Sequence, residues 1–197
     1  MKESMTIHLP ERWADITVGQ FNRYMGAVLE RKGPDLTLEI ARTFSGLDDE
    51  VVEKLSFPSL AKIRSTMTEV FSKPIPEKIH EEIEIKGVKY RAPLDITALC
   101  GGQYVDMSKH SETDHDAKTN VHILCAIVYL PEGEEEYDGS TMRDRAAIFE
   151  EHMMMDVAYP IAVFFCKVFV DLMQSIEGKN LDEAEKNLKA MAQAIGS

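Results

Sequence analysis

The residues best suited to chemistry lie in one polar stretch: His110, Glu112, Asp114, His115 and Asp116, with His122 a little further on. Imidazoles and carboxylates together are the donor set of metal centres and of general acid–base pairs. Their spacing matches neither a structural zinc site nor a calcium-binding loop. "KHSETDHDAKTN" also has the composition that any solvated loop needs, and we prefer that reading to a metal centre. A second cluster, Glu134, Glu135, Glu136 and Asp138, offers neighbouring carboxylates, but a run in a glycine-flanked loop has no pocket to shift their pKa values. It reads as a self-repelling, solvated loop, with contact to a basic partner as the sharper alternative.

The sequence carries no phosphate loop, dinucleotide fingerprint, nucleophile elbow or metalloprotease helix. Its three cysteines, Cys100, Cys125 and Cys166, are an odd number without paired metal spacing. Cys125 and Cys166 stand in apolar runs, where free cysteine behaves as a small hydrophobe. The expectation is therefore a non-enzymatic protein that needs no cofactor.

The elements that must position these residues are mainly helical. Thr17-x-x-Gln20 fits a capping box and starts a helix with Val18, Phe21, Met25, Val28 and Leu29 on one face and Gly33-Pro34 as its stop. Leu36, Ile40, Phe44 and Leu47 predict a second helix, Asp48 to Leu55 a third short turn, and the stretch after Pro58 a longer helix with Leu60, Ile63, Met67, Val70 and Phe71. Pro74 and Pro76 then interrupt the chain. The alternation of "HEEIEIKGVKYR" predicts a β-hairpin turning at Lys86-Gly87, and "TIHLP" is a candidate short N-terminal strand beside it. "NVHILCAIVYL" is apolar almost all round, as a central helix would be. Thr141 is the expected cap of a helix bearing Met142, Ala146, Phe149 and Met153, with a break near Asp156 to Pro160. "YPIAVFFCKVFVDLMQSI" contains Lys167 and Asp171, which argues for a core or interface helix and against a membrane span. Asn180 caps a last amphipathic helix with Ala184, Leu188, Met191 and Ile195 on a thin apolar edge. The fold expected is a mainly α, compact, bundle-like domain with one β-hairpin. It divides into an N-terminal helical lobe, 1–73, and a hairpin plus C-terminal helical core, 74–197, or forms a single domain.

The 197-residue chain has a net charge of −12, which disfavours a phosphate-binding surface and hence nucleic acid. It lacks an apolar secretory leader near "MKESMTIHLPERW", so a cytoplasmic location is expected. The charge suits a basic protein partner or several copies held apart until assembly. Surfaces that such a partner could use are Trp13, the stripe of Phe164, Phe165 and Phe169, and Leu188 and Met191 of the last helix. Helical spacing alone would also place the Phe stripe and Met153-Met154-Met155 in a core, and Trp13 in a staple ahead of the first helix.

One motif occurs twice. "DITVGQF" (Asp15 to Phe21) is echoed by "DITALCGGQY" (Asp95 to Tyr104), where a helix starts at Thr97 or at Cys100. A duplicated unit and convergence on the same capping chemistry both give such an echo. In order along the chain, "WADITVGQF", "IEIKGVKYR", "GGQYVDM", "YLP" and "YPIAVFFCKVF" resemble small acidic tailed-bacteriophage proteins of tail or virion assembly, over roughly Trp13 to Phe169. The resemblance implies a non-enzymatic life among phage tail or virion proteins in the host cytoplasm, as a tail assembly chaperone or a minor virion component. It carries over no catalytic residue. An intracellular regulatory adaptor and a small metal-dependent enzyme using the His110 to His122 region are the alternatives.

Overall fold

The computed structural model describes residues 6–95, 98–111, 119–134 and 136–177, with side chains as far as Phe169. After a 3-10 turn at Trp13–Asp15, Thr17 caps helix α1 (Val18–Glu30). The capping box is closed: Thr17 Oγ1 accepts from the Gln20 N–H at 3.2 Å and Gln20 Oε1 accepts from the Thr17 N–H at 3.0 Å. Helices α2 (Gly33–Phe44), α3 (Asp49–Val52) and α4 (Phe57–Ser72) follow. Gly33-Pro34 does not stop α1, which has ended by Arg31, but opens α2. Proline suits that first turn because its missing N–H would have had no helical partner there.

The hairpin forms as its alternation predicts. Strands β1 (Glu82–Ile85) and β2 (Val88–Arg91) pair Ile83 with Tyr90 and Ile85 with Val88. Lys86 and Gly87 both take positive φ, as a two-residue hairpin turn demands. The candidate strand at "TIHLP" is not one. Residues 6–10 join no sheet, and the third strand is β3 (Leu130–Pro131), antiparallel to Tyr90 and Arg91. The second edge of β2 is filled because the preceding helix ends at Tyr129, whose hydroxyl donates to the His80 carbonyl and holds Leu130–Pro131 against the hairpin. Ile7 and Leu9 pack on the core instead.

The second half continues with α5 (Gly101–His110), α6 (Val121–Val128), α7 (Gly139–His152) and α8 (Met155–Glu177). Helix α6 is buried from Leu124 to Val128, as its all-round apolarity requires. Asp138, not Thr141, caps α7, accepting from the Ser140 N–H at 2.7 Å. The predicted break at Asp156 to Pro160 lies earlier, at Met153-Met154, and α8 runs through Pro160. The helix is interrupted there because the backbone is used elsewhere: Val18 N–H donates to Met153 O and Met155 N–H to Ile16 O, each at 2.9 Å. Pro160 forfeits one helical bond near the start of α8, a cost of about 3 kcal/mol or more. Burial of Ile161, Phe165 and Val168 just beyond it opposes that cost.

One hydrophobic cluster extends from Trp13 to Phe169 and includes residues of both expected lobes, 1–73 and 74–197. Helix α1 lies against α7 and α8, so the seam between the lobes is itself packed. Among the described residues no helix is long and apolar enough to cross a membrane.

Candidate functional site

The repeated motif builds two equivalent joints. At the first, Gln20 closes its box and also donates from Nε2 to the Thr43 carbonyl near the end of α2, at 3.3 Å. At the second, Cys100 is the N-cap of α5, and its N–H donates to Gln103 Oε1 at 3.1 Å while Gln103 Nε2 donates to the Ile127 carbonyl near the end of α6, at 2.7 Å. Each glutamine therefore starts one helix and fastens it to the carbonyl end of a neighbouring helix. The preceding glycines have a matching use. A Cβ on Gly19 would lie 2.8 Å from the Glu150 carbonyl oxygen, and one on Gly102 3.2 Å from the Tyr137 ring. Thr97, the alternative start, lies outside the described residues.

Four of the residues expected to bind a partner are placed inside the molecule. Trp13 is buried, donates Nε1–H to the Lys73 carbonyl at 2.9 Å, and meets Phe71 edge-on at 5.2 Å. Phe164, Phe165 and Phe169 are likewise buried, with Phe169 against Tyr104 at 5.2 Å. As placed, these side chains are core and offer no surface. Leu188 and Met191 lie outside the described residues, as do Glu112, Asp114, His115, Asp116 and Glu135.

His110 and His122 both line a cleft of about 610 Å³ between α5, α6 and α7. Asn22 Nδ2 is 3.2 Å from His122 Nδ1 and 3.2 Å from Glu150 Oε1. With Asn22 donating, Nδ1 is the acceptor and the ring proton sits on Nε2, 4.0 Å from Glu150 Oε2. Burial holds His122 below its ordinary pKa, opposed by the Glu150 charge. At the cleft's rim Tyr137 donates to Asp106 at 2.7 Å, which holds that carboxyl low. The arrangement positions a neutral imidazole. Among the described residues no three His, Cys, Asp or Glu side chains group as a metal ion would need.

A larger groove, about 750 Å³, runs along the small sheet and the segments beside it, 92–95 and 132–134. Its lining carries six carboxylates against two bases, Lys89 and Arg91. The sheet alternates across this boundary: Ile85 and Tyr90 are buried, with Tyr90 edge-on to Phe149 at 4.9 Å, while Glu82, Glu84, Lys89 and Arg91 are exposed. Glu82 and Arg91 approach only to 3.9 Å, both well exposed, which contributes at most about 1 kcal/mol. Under the wall formed by Glu134 lies Arg145, 5% exposed, with Nε donating to the Ala126 carbonyl at 2.9 Å and Nη1 4.0 Å from Glu134. Its Nη2 has no hydrogen-bond partner among the described residues. Sequence reasoning missed Arg145, although it falls between Met142 and Phe149 on the buried stripe of α7, and a charge on an apolar stripe is the available signal.

No protein-family model, curated protein or solved structure matches the chain.

Proposed function

We propose that this chain is a non-enzymatic, protein-binding component of tailed-phage tail or virion assembly, working as a tail assembly chaperone or as a minor virion protein in the host cytoplasm. The observation that carries the protein-binding part is the acidic groove, which borders a sheet whose end strand β1 is paired on one side only among the described residues. The resemblance of the ordered motifs supplies the partner class. Those motifs also serve as joints: Trp13 on the end of α4, Gln20 and Gln103 on neighbouring helices, and Leu130-Pro131 on the hairpin. A fold whose recognisable residues are committed to its own assembly leaves recognition to its surface.

The test is light scattering of the purified chain, alone and mixed with the tail proteins of its source, together with the protein content of finished particles. A defined complex absent from finished particles is the outcome for a chaperone; fixed stoichiometry in particles is the outcome for a virion protein. No complex and no incorporation would overturn the assembly reading.

A further inference from the structure

We propose that the outer edge of β1 accepts an extended, lysine- or arginine-bearing strand of a partner protein, which joins the sheet beside the exposed Glu81, Glu82 and Glu84. The proposal rests on the reading that this chain works by binding protein, and it names the contact and the chemistry of what is bound.

The backbone defines the edge. The two-residue turn makes Ile85–Val88 and Ile83–Tyr90 the hydrogen-bonded pairs, and the Ala92 N–H donates to the Glu81 carbonyl at 2.8 Å, continuing the same register. The amide and carbonyl groups of Glu82 and Glu84 must then face away from β2. Strand β1 is the end of the sheet order, and among the described residues no other element pairs with it. An unpaired strand edge is a ready template for another chain.

The side chains select the occupant. A second copy paired antiparallel through β1 would bring the exposed Glu82 and Glu84 against their own counterparts, and each copy carries a net charge of −12. Like charges directly across a strand pair are destabilising, so self-pairing is opposed. An uncharged strand would be indifferent to the exposed carboxylates of Glu82 and Glu84. A strand with basic residues at alternate positions answers both features: its cations lie beside Glu82 and Glu84, and its intervening apolar residue extends the cover over half-buried Ile83. Arg91 and Lys89 stand across from Glu82 and Glu84 on β2, but Arg91 approaches Glu82 only to 3.9 Å with both side chains exposed, so the Glu82 carboxylate stays open to a further cation.

The probe is a seven-residue peptide alternating Lys and Val, compared with its Glu/Val counterpart, added to the full ¹⁵N-labelled chain. Binding should perturb the Glu82 and Glu84 amides, slow their hydrogen exchange at least tenfold, and weaken severalfold as salt is raised. The variant carrying Glu82→Lys and Glu84→Lys should reverse the preference in favour of the Glu/Val peptide by tenfold or more. A milder pair, Glu82→Gln and Glu84→Gln, should lower affinity for the Lys/Val peptide without altering the fold. A Lys/Val peptide N-methylated along the edge it presents separates strand addition from charge attraction alone, and should bind at least tenfold more weakly. Equal binding of the N-methylated peptide, perturbation confined to amides outside the sheet, or no binding of the Lys/Val peptide would overturn the proposal. Tail-protein complexes that survive the double lysine variant would overturn it and leave the assembly reading standing. Peptide binding at β1 with no tail-protein complex would support it and overturn that reading.

Discussion

Two alanine substitutions in the same helix should have opposite signs. Gly19 and Gly26 both lie in α1, but a Cβ at Gly26 would meet nothing within 4 Å, whereas one at Gly19 would sit 2.8 Å from the Glu150 carbonyl oxygen and 3.2 Å from Glu150 Cγ. The oxygen belongs to the backbone of α7 and cannot swing aside. Relief requires α1 and α7 to part by a few tenths of an ångström, which also strains the 2.9 Å bond from Val18 N–H to Met153 O and the 3.2 Å contact from Asn22 to Glu150. Overpacking of this kind costs about 1–3 kcal/mol. Alanine's helix preference recovers at most about 1 kcal/mol, and less in the first turn. Gly19→Ala should therefore be about 1–2 kcal/mol less stable than the parent, while Gly26→Ala should gain about 0.5–1 kcal/mol. At a chain length near 200 residues, each kcal/mol moves Tm by about 2–4 °C. The two variants should separate clearly in urea unfolding followed by helical circular dichroism. Gly19→Ala as stable as the parent would refute the close approach of α1 to α7.

The other expectations follow from single groups. Gln103→Ala removes two hydrogen bonds and strands the Ile127 carbonyl in the interior, so it should cost about 2–3 kcal/mol, more than Gln20→Ala at the half-buried joint; denaturant midpoints of both variants decide this. Burial holds the folded pKa of His122 below its unfolded value, so the unfolded chain gains its proton first below about pH 6.5. Stability from neutral His122 is thus complete above that pH and declines as pH falls toward the folded value. Urea midpoints between pH 7 and 5 should fall faster for the parent than for His122→Gln, and parallel curves would contradict the assignment. Thiol labelling should be ordered by access: exposed Cys100 first, half-buried Cys166 later because burial raises its pKa to about 11, and wholly buried Cys125 only on unfolding. Mass spectrometry of timed alkylation checks the order.

What could be read in the sequence, and what could not, divides along the range of the interactions. The capping box at Thr17, the hairpin turn at Lys86-Gly87 and the buried run of α6 depend on residues within a few positions of one another, and all three form as their spacing requires. The failures involve partners far along the chain. Pro160 looks like a break because the local rule cannot weigh one lost hydrogen bond against the core contacts of Ile161 to Phe169. Met153-Met154 looks helical because nothing nearby announces that Ile16 and Val18 will claim its backbone. The same limit explains the candidate site. Apolar aromatics suggested a docking surface, but Trp13 and Phe165 found internal partners, and the groove was assembled from segments around residues 81–95 and 130–134, which are distant in sequence. The acidic loop after Pro131 was legible as charge, and contact with a basic partner was among its readings. Its role as one wall of a groove was not, because that depends on Leu130-Pro131 pairing with Tyr90 and Arg91. That pairing in turn rests on Tyr129 reaching His80, so the joint that completes the sheet also brings Glu132 against β2, where its N–H donates to the Lys89 carbonyl at 2.8 Å, while β1 on the other side of β2 keeps an outer edge with no partner among the described residues.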